Sequence, residues 1–256
     1  MALLAGLAAA LMLAVVGWRA SLSVGRVSFV DVMWGPFVLL SALGQQVAQT
    51  ATVPRAAWVL AAIGLWALRL SLHIARRNRG QPEDRRYEEI RQRNEPGFAH
   101  KSLYLVFGLQ AVLAWVLSWV AAPALASAAP LGWLDALGFG VFALGLGIEA
   151  LADAQLDRFK ADAANRGRVL DSGLWRFSRH PNYFGECLLW WGLWLVALAA
   201  GGAWTVLAPL MLTGLLLKVS GVALLEKDIA ERRPGYRDYM ARTSAFVPWW
   251  PRRPGA

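Results

Sequence analysis

The chain is 256 residues long, 57% hydrophobic and only 17% charged, with a formal net charge of +9. A mean hydropathy of +0.41 excludes an ordinary soluble domain, and basic charge on so apolar a chain marks the loops of one membrane face rather than a nucleic-acid partner. A single cysteine, Cys187, excludes an intrachain disulfide, and His73, His100 and His180 are too scattered to suggest a metal site.

Residues 1–17 carry no Lys or Arg ahead of their apolar core, as a secretory signal would, so they read as a retained first span. Seven segments are apolar enough to cross a bilayer: 2–18, 29–47, 56–73, 102–122, 133–152, 184–200 and 203–222. The expected fold is all-α, a polytopic membrane protein of seven transmembrane helices. Arginine placement sets its orientation. One set of loops holds Arg19 and Arg26, then 76–101, then 158–179, then the tail from Lys227; the other set holds only Arg55. The basic side is read as cytoplasmic, with the N-terminus outside and the C-terminus inside.

Ionisable residues fall within the spans. Asp31 lies in the second, Arg69 in the third and Glu149 in the fifth, with Asp153 one turn later; Glu186 enters the sixth and Lys218 ends the seventh. Buried charge in a membrane is costly, so such groups face partners or a cavity. Two readings of Asp31 stay open: a structural pair with Arg69, or a carboxyl kept protonated by desolvation so that it donates a hydrogen bond. Glu149, Asp153, Asp157 and Lys160 share one helical face, which either lines a polar groove or forms a surface stripe.

The loop after the third span turns at Gly80 and Pro82 and continues as EDRRYEEIRQR, a surface helix that could fold over a site. The loop after the fifth span carries Asn165, Arg166, Arg168, Arg176 and Arg179. Four arginines within 14 positions suit phosphate, either of a nucleotide or of an anionic lipid. His180-Pro181 makes an extended bend, and Asn182 and Tyr183 follow near a helix start, where free N–H groups attract anions. Gly145-Leu-Gly147-Ile-Glu-Ala150 matches a relaxed dinucleotide fingerprint, but it lies in an apolar span with no strand before it and is set aside. In the tail, Trp249 and Trp250 suit an interfacial anchor, and Tyr236 and Tyr239 could close a ligand pocket.

LDSGLWRFSRHPNYFGE, the WWG of Trp190 to Gly192, the tail LLEKDIAERRPGYRDYMARTSAFVPW, and Asp31-x-x-Trp34 resemble the bacterial steroid 5α-reductase-like membrane proteins over most of 28–250. The resemblance implies NADPH as hydride donor and a 3-oxo-4-ene steroid, or another enone lipid, as acceptor, in a bacterial inner membrane. It implies one membrane domain, with 1–122 forming the substrate pocket and 123–256 holding NADPH. Matching the family's cofactor positions residue by residue gives Glu149, Asp153, Lys160, Arg168, Asn182, Glu186, Lys218 and, in the tail, Asp238, Tyr239, Pro248 and Trp249. Arg166, Arg176, Arg179, His180 and Tyr183 join them from the motif itself. Glu149, Lys160 and Lys218 depart from the family's usual side chains.

The family's second-span glutamate and third-span tyrosine have no identical counterparts here. The nearest acid is Asp31, and Trp66 and Arg69 lie closest to the tyrosine's place. The implied mechanism has protonated Asp31 polarise the ketone while hydride goes to the β-carbon. The element RHPNY–G–E is shared with isoprenylcysteine and phospholipid methyltransferases, so an S-adenosylmethionine-dependent membrane methyltransferase is the alternative. A non-enzymatic lipid-binding protein is a third class.

Overall fold

The computed structural model describes residues 1–49, 53–219, 221–226, 229, 233 and 235–252. Lys227 and Pro234, read above as parts of the tail, lie outside the described residues. In chain order the helices are α1 (Ala2–Val24), α2 (Trp34–Val47), α3 (Pro54–Asn78), α4 (Arg85–Asn94), α5 (Phe98–Ala126), α6 (Trp133–Ala161), α7 (Pro181–Ala199), α8 (Ala203–Glu226) and α9 (Tyr236–Arg242). Among the described residues there is no strand, only an isolated bridge between Ser178 and Ser244.

Among the described residues five helices, α1, α3, α5, α6 and α8, are long and apolar enough to cross a membrane, as in a multi-pass membrane protein. The sequence reading gave seven spans. Its second, 29–47, begins in a 3-10 turn over Ser28–Met33, continues as the 14-residue α2 and is not among the five. Its sixth, α7, opens on Asn182 and Glu186 and is not among the five.

The chain forms two compact units. The first comprises Met1–Leu131 and Ala197–Ala208, the second Gly132–Val196 and Pro209–Ala256. In the first, α2 packs against α1, α3 and α5. Small residues permit this, because without a Cβ helix backbones approach closely. A side chain at Gly6 would come within 2.7 Å of the Ser41 carbonyl oxygen, and one at Gly35 within 2.7 Å of the Ala67 backbone. Where α2 meets α5, Ser41 Oγ lies 2.9 Å from Ser118 Oγ, and Gln45 Nε2 donates to Ser118 Oγ at 2.8 Å. Arg55, the lone arginine of its loop set, is buried and donates to Ser127 Oγ, the Ala129 carbonyl and the Pro130 carbonyl at 3.0–3.1 Å. It ties down the segment after α5.

In the second unit α6 and α7 meet backbone to backbone. A Cβ on Gly145 would fall 2.4 Å from the Leu189 nitrogen, one on Gly185 2.6 Å from the Glu149 nitrogen, and one on Gly192 2.5 Å from the Phe142 nitrogen. Gly145, half of the discarded nucleotide fingerprint, is therefore a crossing point between helices. The crossing brings the start of α7 beside Glu149 and Asp153, which fixes the site described next.

Candidate functional site

The first unit holds a polar cluster around Asp31. The carboxylate sits in the 3-10 turn Ser28–Met33 and accepts from the Tyr87 hydroxyl at 2.6 Å and from Arg86 Nη2 at 2.8 Å. Gln110 Nε2 donates to Tyr87 Oη at 3.0 Å. The loop before α4 is built to deliver these groups. Asp84 caps α4 by accepting from the Arg86 backbone N–H at 2.9 Å, and it also accepts from Arg86 Nε at 3.0 Å. Glu83 accepts from the backbone N–H groups of Val27 and Ser28 at 2.9 and 2.8 Å, pinning the loop to the turn that carries Asp31. Arg91 reaches both Glu83, at 3.6 Å, and the Gly25 carbonyl, at 3.2 Å.

Charge follows geometry here. Burial opposes ionisation of Asp84, but the hydrogen bonds from Arg86 prevail and lower its pKa. Burial, then the charge on Asp31, raises the Tyr87 pKa, so the phenol stays protonated at any ordinary pH. Arg86 remains a cation, since its bonds to Asp84 and Asp31 outweigh its desolvation.

Of the catalytic residues read from sequence, Asp31 is at the centre of this cluster, but as an acceptor held by a cation. Trp66 is fully buried on α3, and Arg69 is half-buried one turn along the same helix. Arg86, Tyr87 and Gln110 were not singled out from sequence. The signal available was EDRRY, where an N-cap aspartate sets the phase of a helix whose first turn carries Arg86 and Tyr87.

The second unit has two layers. The inner one is built on Glu226, which accepts from Arg179 Nε at 2.7 Å, from Arg179 Nη2 at 2.9 Å, and meets His180 Nε2 at 2.9 Å. Tyr236 Oη lies 3.5 Å from the same carboxylate. Arg179 Nη1 also donates to the carbonyls of Thr243 and Met240 at 2.7 and 3.1 Å. Four hydrogen bonds occupy this guanidinium, so Arg179, read above as a phosphate ligand, is instead the clasp that fastens the tail. The Tyr239 hydroxyl donates to the carbonyls of Trp175 and Ser178 and is likewise committed to backbone. Burial raises both tail phenols; with the Glu226 charge second, Tyr236 is pushed up to about 12. Tyr236, read above as closing a pocket, faces Glu226 here; Glu226 was missed because it lies far along the chain from the motif it completes.

The outer layer is open. Arg166, Arg168 and Arg176 are exposed on the loop between α6 and α7, as are Lys160 and Lys218. Gly167 and Gly173 turn this loop at φ 81° and 60°, conformations that favour glycine. Beneath it Asn182 Nδ2 donates to Asp153 Oδ1 at 3.1 Å, and Glu149, Asp153 and Glu186 are buried. Tyr183 stacks on His180 with ring planes 3° apart. The face of α6 read from sequence thus passes from buried Glu149 and Asp153 to exposed Asp157 and Lys160. Asp153, Asn182, Arg179, His180 and Lys218 share this unit, Lys218 on α8 in a π turn over Leu215–Val219.

The sequence pattern of the DUF1295 family, described as a protein of unknown function, matches residues 17–243. An uncharacterized protein of Schizosaccharomyces pombe is 37% identical over 95 residues, covering 36% of this chain and 27% of its own length. The chain thus spans about a quarter of that relative. No solved structure matches.

Proposed function

The chain belongs to the DUF1295 family, and on that premise we propose that it is an NADPH-dependent membrane reductase acting on the C=C bond of an enone lipid, such as a 3-oxo-4-ene steroid. The reading includes seven spans, a cytoplasmic basic face and a bacterial inner membrane. The observation that carries it is the Asp31–Tyr87 contact at 2.6 Å, backed by Arg86 and Gln110. A phenol held neutral beside a carboxylate and a cation is a donor suited to a carbonyl oxygen that gains negative charge during reaction.

The donor set of the second unit fits a pyridine dinucleotide in chemistry. Arg166, Arg168 and Arg176 offer exposed guanidinium forks for phosphates. The Asp153–Asn182 pair offers a carboxylate and an amide for ribose hydroxyls or a carboxamide. When bound, NADPH supplies the hydride. The residues of this chain do the rest. Tyr87 turns from Asp31 to the acceptor's carbonyl oxygen and polarises it. Gln110 holds the phenol oxygen in place. Arg86 neutralises Asp31, so the emptied carboxylate is not left as an isolated buried charge. Glu83 and Arg91 keep the loop closed over the turn.

The test is purified protein with NADPH and a 3-oxo-4-ene steroid, followed by nicotinamide absorbance and product mass. A gain of two mass units in the lipid, matched by NADPH oxidation, is expected. Methyl transfer from S-adenosylmethionine to a lipid, with no such gain, would replace the proposal by the methyltransferase reading.

A further inference from the structure

The tail after α9 is a strap with a fixed course. The Arg179 N–H donates to the Ser244 carbonyl at 2.9 Å, Ser178 Oγ to the Phe246 carbonyl at 2.7 Å, and the Trp249 N–H to the Phe177 carbonyl at 2.9 Å. Phe246 meets Phe184 edge to face at 5.8 Å, and Trp250 meets Phe177 in the same way at 5.3 Å. The strap returns to α9 through the Arg252 N–H and the Arg242 carbonyl at 2.9 Å. Although its backbone is fastened, Trp249 and Trp250 are 71% and 72% exposed, with Val247 beside them at 56%.

The strap also has a level. It pairs with residues 177–179, directly before α7 and its apolar run, which on the proposed seven-span reading is where the bilayer's interfacial layer begins. Tryptophan favours that layer because its ring is apolar and its N–H is polar. Between strap and α9 lies an open groove of about 380 Å³ lined by Arg242, Thr243, Ser244, Trp249, Trp250 and Arg252. Arg252 is exposed, and Arg242 pairs with Asp171 at the surface, a bond that uses part of its five-donor fork.

We propose that this groove is a binding site for an anionic phospholipid of the adjoining leaflet. Arg242 and Arg252 take its phosphate, and Trp249 and Trp250 lie against the glycerol backbone and upper acyl chains. The chemistry is a single negative charge next to apolar chain, which matches two guanidinium groups beside two protruding indoles. Arg242 and Arg252 stand outside the residues assigned to NADPH.

The experiment is thermal unfolding and native mass spectrometry of the full chain in neutral detergent, titrated with phosphatidylglycerol, phosphatidylcholine or inorganic phosphate. Phosphatidylglycerol should raise the unfolding midpoint and appear as a bound adduct, while the other two do neither. Arg242→Gln with Arg252→Gln should weaken that binding, about fivefold for each charge removed, with NADPH affinity unchanged. Arg252→Lys should restore most of the Arg252 share. Equal binding of phosphatidylcholine, an equal effect of inorganic phosphate, or an unaltered double variant would each overturn the assignment. So would loss of NADPH binding in the double variant, which would make the groove a nucleotide site.

Discussion

Asp31 in the first unit and Glu226 in the second are both carboxylates gripped by an arginine and approached by a tyrosine, yet their surroundings differ. Glu226 takes both arms of Arg179 and also meets His180, and both members of the ion pair are nearly sealed from solvent. Arg179 spends its remaining reach on carbonyls of the tail. Asp31 takes one arm of Arg86, whose side chain is 39% exposed, and its other oxygen faces a phenol. The first arrangement is saturated and serves as a fastening. The second leaves one guanidinium arm and a phenol at the carboxylate, which is the arrangement the proposed reduction uses. Similar residue types therefore do not identify a site; the degree to which protein acceptors already fill their donors does.

The comparison can be broken most sharply at Glu226. Glu226→Gln should cost about 3–5 kcal/mol, because it strands Arg179 in a buried site, whereas Asp31→Asn should cost well under half of that. Thermal unfolding of both variants in one detergent decides it, and equal losses would remove the distinction. Tyr87→Phe should leave the fold intact and lower turnover roughly 10²–10³-fold, as expected for removing one donor to a developing oxyanion. Steady-state kinetics beside an unfolding curve separates that from simple destabilisation.

Gly145→Ala presses a methyl group onto the α7 backbone and should cost about 1–3 kcal/mol, while Gly147→Ala, which meets nothing, should cost none. Alkaline titration sharpens the comparison further. A phenol whose pKa is raised on folding stabilises the folded state at every pH below about 10, and that contribution fades as pH climbs through the folded value. For Tyr236 that value is about 12, and Tyr87 and Tyr239 are also raised, so phenolate absorbance should lag in folded protein and catch up on unfolding. Phenols that all ionise near pH 10 would contradict the burial of both clusters. The smallest effect should come from Arg85→Ala. Its pair with Glu89 is largely exposed, and about 0.5 kcal/mol is the most it should cost.

The apolar runs of α1, α3, α5, α6 and α8 were legible in the sequence because a bilayer requires unbroken apolar length. The 3-10 opening of the second segment was not. Nothing local in Ser28–Met33 forbids an α-helix, and the 3-10 turn is held by Glu83 from a loop 55 residues away. The Asp31–Tyr87 contact likewise joins residues 56 apart, so sequence showed an acid and a charged loop without their meeting. The arginines between α6 and α7 were visible as a set. Which of them were already occupied was not, since the Arg179 partners come from α8 and the tail. Gly145 illustrates the reverse. Its motif was read for nucleotide binding and dismissed, while its role, a close helix crossing, depends on Gly185 and Leu189 across the interface.

The most direct measurement is equilibrium binding of NADPH and of S-adenosylmethionine to the purified chain, repeated with Arg166, Arg168 and Arg176 all changed to Gln. Binding of NADPH alone, weakened at least tenfold in the triple variant, is the predicted result. An NADPH affinity indifferent to the three changes, or binding of S-adenosylmethionine in its place, would contradict it.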